Sequence, residues 1–310
     1  MTADPKSVDE AAALLKAGLL CAFPTETVYG LGADATNADA VLSIYTTKGR
    51  PRFNPLIIHC ADLAMAETLV EFSPLARRLA TLWPGPLTLV LPAKPNNGLA
   101  DVAMAGLDSV AIRIPDHPLA LALLTAVGRP LAAPSANPSG RLSPTTAEQV
   151  RLGFAGKVAV FDGGPCQAGV ESTIVRVEGD RVVQLRAGAL ARAQIELALG
   201  ISVAVAAKDA AIAAPGMLVS HYAPNALLRL NAEPRAGEAY LAFGPAPTFA
   251  GPTRNLSPSG DLHEAARNLF SMLHALDAEG MAMIAVAPIP ETGLGEAIND
   301  RLQRAAAPRG

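Results

Sequence analysis

Between Lys48 and His59 the chain reads Lys-Gly-Arg-Pro-Arg-Phe-Asn-Pro-Leu-Ile-Ile-His, and no other stretch narrows the fold as much. Lys48, Arg50 and Arg52 place three cations within five residues. Gly49 and Pro51 stop the segment from continuing as a helix. The apolar run Leu56-Ile57-Ile58 follows at once as a short buried strand. Cations on a rigid turn beside a buried strand make a site for a phosphate or carboxylate, since Arg offers a planar fork and Lys a point charge. Alone, the same residues also describe a solvated basic loop. The rest of the chain decides between the two.

The N-terminal part alternates helices and short strands. Ser7 caps a helix over 6–17, with Asp9 and Glu10 in its first turn and Gly18 at its end. A strand over 19–23 runs into Pro24-Thr25-Glu26-Thr27-Val28-Tyr29-Gly30-Leu31-Gly32, where hydroxyls, a carboxylate and a phenol precede a Gly-rich turn. Asn37 caps the helix that delivers Lys48, and His59 closes the strand after the basic turn. Ser109 to Pro115 alternates polar and apolar residues as a half-buried strand with Ser109 and Arg113 on one face. An arginine there must reach solvent or an anion. A strand over 130–134 empties into Ser135-Ala136-Asn137-Pro138-Ser139-Gly140. A helix is expected from Ser143 to Arg151, and a hairpin carries Glu171-Ser172-Thr173 at one end and Arg186-Ala187-Gly188 at the other.

The composition shifts over 203–224, where an Ala-rich segment runs into Ser220-His221-Tyr222-Ala223-Pro224. Pro and Gly mark a linker, and Ser-His-Tyr gives it groups that can touch a ligand. Strands over 226–231, 239–243 and 281–286, with helices over 261–278 and 294–306, describe a smaller α/β unit. The expected boundaries are therefore 1–202, a linker at 203–224, and 225–310.

A net charge of −3 and 4% aromatic residues argue against a general nucleic-acid coat or a base-stacking platform. Cys21, Cys60 and Cys166 are odd in number and widely spaced, so they suit a reducing cytoplasm rather than a disulfide framework. No apolar run spans a bilayer.

Five motifs together resemble those of the L-threonylcarbamoyladenylate synthases: Pro24 to Leu31, Lys48-Gly49-Arg50-Pro51, Asn54-Pro55-Leu56, Ser135 to Gly140, and Glu171-Ser172-Thr173-Ile174. The likeness spans residues 8 to 200, and the segments 220–224 and 293–302 resemble the longer, two-domain branch. It implies an α/β fold: a twisted, mostly parallel or mixed sheet with a concave basic cavity, plus a small Rossmann-like α/β C-terminal domain. It also implies a cytoplasmic enzyme that makes L-threonylcarbamoyl-AMP and pyrophosphate from L-threonine, bicarbonate and ATP. The product would pass to a transferase that modifies adenosine 37 of tRNA. Carried over by position, the resemblance assigns Lys48, Arg50, Asn54, Ser109, Ser135, Asn137, Ser143, Arg186 and Tyr222 to ATP. It assigns Thr27, His59, Arg113, Ala133 and Ser172 to threonine, with Lys48, Arg50 and His59 as catalytic groups. For His59 two roles stand open, general base or hydrogen-bond partner that orients threonine, and the second is the stronger expectation. No cluster has metal-ligand spacing, so Mg2+ is expected to arrive with ATP.

Two other classes compete. An RNA-binding module could use a concave basic face, and a weak RNA contact is compatible with the enzyme reading too. The negative charge and the Ser-Ala-Asn and Glu-Ser-Thr elements favour a small ligand. Carbamoyl-transfer domains of hydrogenase maturation come fused to zinc-binding cysteine pairs, which this chain lacks.

Overall fold

The computed structural model describes residues 3–207, 214–215 and 221–308. Ser220, expected in the ligand-touching linker, lies outside them. Two sheets organise the described residues. The first contains β1 (Cys21–Phe23), β2 (Gly30–Asp34), β3 (Ile57–His59), β4 (Leu87–Pro92), β5 (Ser109–Arg113), β6 (Leu131–Ala132), β7 (Ala159–Val160), β8 (Thr173–Glu178), β9 (Arg181–Arg186) and β10 (Val203–Val205). Their spatial order is β10-β9-β8-β4-β5-β3-β6-β2-β1-β7. The second contains β11 (Leu227–Arg229), β12 (Ala239–Ala242), β13 (Thr253–Asn255) and β14 (Met283–Val286), in the order β11-β14-β12-β13.

The first sheet is mixed. Pairs β1–β7, β3–β5, β4–β8 and β9–β10 are parallel. Pairs β1–β2, β2–β6, β3–β6, β4–β5 and β8–β9 are antiparallel. Chain neighbours such as β8 and β9 are joined by a tight turn, which permits only antiparallel pairing; parallel neighbours need a longer crossover. Pairing in the second sheet is parallel throughout.

Local chemistry sets the element ends. Helices α1 (Val8–Lys16), α2 (Ala38–Lys48), α3 (Leu63–Leu69) and α4 (Pro74–Ala80) are capped by the side chains of Ser7, Asn37, Asp62 and Ser73. α5 (Asp101–Met104), α6 (Pro118–Val127), α7 (Ala147–Gly153) and α8 (Arg192–Leu199) follow. α7 starts later than expected because Thr146 caps it in a capping box with Gln149, leaving Ser143 and Pro144 extended. Gly30 to Gly32, read as a turn, instead opens β2. A Cβ on Gly32 would lie 2.8 Å from the Phe23 ring, so glycine lets β1 and β2 pair at this point. β10 carries the first sheet to Val205, into the stretch expected to be linker.

α1 and α6 cover one side of the sheet through Ala11, Leu15, Leu123 and Leu124, packed with Phe23 and Leu131. α2 and α4 bury Val41, Ile44 and Leu79 with Leu31, Ile58 and Leu89. In the C-terminal unit α9 (Leu262–Ala278) and α10 (Gly295–Ala306) pack on the second sheet. Val28, Leu142 and Val170 of the first unit share that core with Tyr222, Leu269, Phe270 and Leu273. The two units therefore meet through apolar contact. Among the described residues no helix is long and apolar enough to cross a membrane.

Candidate active site

A cavity opens where strand ends of the first sheet face the start of the C-terminal unit. Its wall includes Thr27, Arg50, His59, Arg113, Ala133, Ser135, Ser172, Arg186 and Tyr222. These come from eight separate stretches of chain.

Strand register builds one side. His59 of β3 pairs with Arg113 of β5 in parallel register, so both side chains leave the sheet on the same face. Arg113 Nη1 donates to Thr27 Oγ1 at 2.9 Å, Nε donates to the Gly85 carbonyl at 3.2 Å, and Nη2 lies 2.6 Å from Glu26 Oε1. Thr25 Oγ1 donates to the Val28 carbonyl at 2.7 Å and lies 2.8 Å from Thr27 Oγ1, which shapes the loop carrying Glu26 and Thr27. Burial and the neighbouring Arg113 charge push His59 down to about 3, so its imidazole is neutral. The backbone N–H of Ala133 is already spent on the Ile57 carbonyl at 2.9 Å.

The cationic turn builds the other side. α2 ends at Gly49 with φ +61, a left-handed residue that lets the chain reverse directly after Lys48. Lys48 Nζ donates to the carbonyls of Ser135, at 2.5 Å, and of Asn137, tying the basic turn to the Ser-Ala-Asn turn. Arg50 donates through Nε to the Asn54 carbonyl at 3.1 Å and through Nη2 to the Pro55 carbonyl at 2.8 Å. Arg186 donates to the Ser172 carbonyl at 2.9 Å and to Ser172 Oγ at 3.3 Å. These three cations thus bond to neutral oxygens rather than to carboxylates. Burial, with Arg50 nearby, holds Lys48 well below its ordinary range. Burial also brings Arg50 down to about 10. Crowded, buried cations whose bonds go to carbonyls favour an incoming anion.

Several buried polar atoms meet no partner among the described residues: both amide atoms of Asn54, Oδ1 of Asn137, and Nδ1 of His59 and of His221. Such unspent groups around a cavity are what a polar ligand would satisfy.

The fold brings most of the expected residues together. Lys48, Asn54, Asn137 and Ser143 are buried behind the wall rather than in it. Ser143 Oγ donates to Glu171 Oε1 at 2.5 Å. Ser109 stands apart, half-buried at the end of β5 opposite Arg113, paired with Pro92 of β4. Sequence reasoning placed Glu26, Glu171 and His221 in ligand-facing motifs without assigning them roles, and it passed over Arg301. Glu171 is buried, and Arg301 Nε donates to its Oε2 at 2.8 Å. Burial alone would raise the Glu171 carboxyl, but Arg301, Arg186 and the Ser143 hydroxyl outweigh it and hold it at about 2. A carboxylate beside Ser172 in a strand-head motif was a visible signal. Its arginine, 130 residues away, was not. Among the described residues no three His, Cys, Asp or Glu gather to hold a metal. The wall offers cations and hydroxyls, donors for phosphate oxygens rather than ligands for a cation.

A family model described as "Telomere recombination" matches residues 13–188, and one described as "Threonylcarbamoyl-AMP synthase, C-terminal domain" matches residues 190–307. The chain is 41% identical to the threonylcarbamoyl-AMP synthase of Bacillus subtilis, covering 99% of this chain and 95% of the relative. Identity to the threonylcarbamoyl-AMP synthase of Pyrococcus abyssi is also 41%, over 96% of this chain and 94% of the relative. The crystal structure of P. abyssi Sua5 complexed with L-threonine superposes with a TM-score of 0.89 at 39% identity, covering 96% of this chain and 94% of that chain.

Proposed function

Since the chain belongs to the threonylcarbamoyl-AMP synthase family in its two-domain form, we propose that it makes L-threonylcarbamoyl-AMP and pyrophosphate from L-threonine, bicarbonate and ATP. The observation that carries this reading is a single cavity lined both by Thr27, His59, Arg113 and Ser172 and by Arg50, Ser135, Arg186 and Tyr222. An amino acid and a nucleotide can then be held side by side.

The threonine ammonium and bicarbonate combine to a carbamate with loss of one water and one proton. A carbamate oxygen then attacks the α-phosphorus of ATP; the new P–O bond forms as the bond to the β-phosphate oxygen breaks, and pyrophosphate leaves. Both partners are anions, so positioning and charge neutralisation carry the catalysis. Arg113 takes the threonine carboxylate. Thr27, His59 and Ser172 orient its amine, hydroxyl and carbamate, with the backbone at Ala133 alongside. Lys48, Arg50 and Arg186 stabilise charge on the phosphates, and Asn54, Ser135, Asn137 and Ser143 complete the nucleotide side. Tyr222 closes over the nucleotide. His59, held neutral with a weakly basic ring, acts as a hydrogen-bond partner rather than as a base. Mg2+ carried by ATP would neutralise part of the phosphate charge, and Lys48, Arg50 and Arg186 would meet the remainder. The acyl-adenylate product passes to a transferase acting on adenosine 37 of tRNA.

Pyrophosphate release by the purified full chain tests the reading. Release that requires threonine and bicarbonate together, and is lost in Lys48→Ala and Arg50→Ala, supports it. ATP turnover indifferent to threonine overturns it.

A further inference from the structure

Arg301 lies on α10 in the run Asn299-Asp300-Arg301, which the reaction above leaves without a role. Its side chain is fully buried. Besides the bond from Nε to Glu171, Nη1 lies 2.5 Å from Asp300 Oδ2. The guanidinium carbon sits over the Tyr222 ring, 5.1 Å from its centroid. Nη2 has no partner among the described residues.

One guanidinium from the C-terminal unit therefore touches two residues of the cavity wall that come from different parts of the chain. Glu171 precedes Ser172, and its other oxygen accepts from Ser143. Tyr222 has φ +63, uncommon for a bulky side chain, and its ring is held by Phe270 of α9 at 5.6 Å between centroids.

Adhesion between the units does not require this charge. They already share an apolar core, and a buried ion pair joins two surfaces no better than apolar residues of similar volume. What the pair supplies is direction: one rigid guanidinium donates through Nε to the carboxylate and sets its carbon over a ring.

Resting on the assignment of the cavity to a nucleotide, we propose that Arg301 is a positioning residue of the active site. It holds Glu171 and Tyr222 in place across the domain boundary, and the C-terminal unit thereby completes the nucleotide side.

The test uses the full chain as wild type, Arg301→Lys, Arg301→Met and the double variant Arg301→Met/Glu171→Gln. Leu276→Ala, a buried α9 position away from the cavity, controls for a loosened C-terminal unit. Pyrophosphate release is measured against ATP and against threonine, alongside thermal midpoints and ATP binding by calorimetry. In Arg301→Met the ATP KM should rise about tenfold while the threonine KM stays within about twofold. Arg301→Lys keeps the charge but loses the fork, so it should show an intermediate ATP KM. Leu276→Ala should lower the thermal midpoint and leave the ATP KM at the wild-type value.

The pH profile supplies a readout that a structural role would not move. Glu171 is faced by Arg301 from α10, Arg186 from β9, the Ser143 hydroxyl, and His221 and Tyr222 from the linker; Asp300 faces Arg301 and Tyr222, and His274 of α9 touches the Ser143 carbonyl. Without Arg301, burial pushes the carboxyl upward with less opposition. Arg301→Met should therefore lose activity on the acid side of neutrality, where wild type is flat. The double variant, with no carboxyl to titrate, should lose that limb.

Folded Arg301→Met with wild-type ATP KM and pH profile overturns the proposal. If that variant does not fold, Arg301→Lys with wild-type ATP KM overturns it. If wild type releases no pyrophosphate, the enzyme reading falls. The ATP dissociation constants of wild type and Arg301→Lys then decide the proposal, and equal values overturn it.

Discussion

Arg113 of the cavity wall meets buried Glu26, Nη2 to Oε1 at 2.6 Å. With Thr27 on Nη1 and the Gly85 carbonyl on Nε, two of the five N–H groups of the guanidinium make hydrogen bonds, and the approach of Nη2 to Glu26 is an ion pair without hydrogen-bond geometry. At least one N–H therefore remains on each terminal nitrogen, the pair that a substrate carboxylate takes bidentately. Glu26 and Thr27 thus aim the fork.

Replacing that fork with a point charge should harm threonine binding selectively. Arg113→Lys is expected to raise the threonine KM about tenfold or more, with the ATP KM within about twofold. Steady-state pyrophosphate release varied in each substrate checks this. Equal losses for both substrates would place Arg113 elsewhere in the mechanism.

His59 separates a base from an orienting group. At saturating threonine His59→Ala should keep kcat within about threefold of wild type, while the threonine KM rises about tenfold through one lost hydrogen bond. The folded imidazole titrates near 3 against 6.5 ordinarily, so the unfolded chain binds the extra proton between those values. Its contribution to stability is complete above 6.5 and is lost progressively as pH falls toward 3. His59→Gln should flatten that part of a stability-against-pH curve measured by urea unfolding. An unchanged slope contradicts the assignment.

Lys48 is expected to trade stability for function. Burial and Arg50 lower its pKa in the folded chain from the ordinary 10.5. The unfolded chain then holds the proton more strongly, which penalises folding. The penalty is complete below the folded pKa and fades as pH rises toward 10.5. Lys48→Met removes the penalty and should abolish pyrophosphate release. Thermal midpoints of the two proteins should diverge in favour of wild type as pH is raised from neutral toward 10.5. A constant difference across that range would mean that Lys48 is not perturbed.

Gly169 tests the domain contact without touching the cavity. Its φ is +75, and a Cβ there would lie 2.3 Å from the Arg267 Cα of α9. Gly169→Ala should cost about 1–2 kcal/mol in left-handed backbone and about 1–3 kcal/mol in overpacking. Part of that strain is relieved by moving α9, and Phe270 with it, away from Tyr222. A lowered thermal midpoint together with a raised ATP KM is expected. A lowered midpoint with an unchanged ATP KM would mean that the α9 contact does not govern the site.

The single sequence determined those features whose cause is local. Asn37 and Gly49 bound the helix that delivers Lys48, because capping and a left-handed stop act within a turn or two. The β5 strand was legible from alternation, and the five motifs identified the family because residue types at fixed short spacings carry most of the chemistry. Tertiary structure decided what depends on residues distant in the chain. Parallel register set His59 beside Arg113, and the basic turn was tied to the Ser-Ala-Asn turn through Lys48. Gly30 to Gly32 became a strand because Phe23 packs closely on Gly32, which no local pattern records. Glu171 and Arg301, 130 residues apart, could be paired only by the folded chain. A buried charge finds its partner through packing in three dimensions, and composition and periodicity carry no trace of that choice.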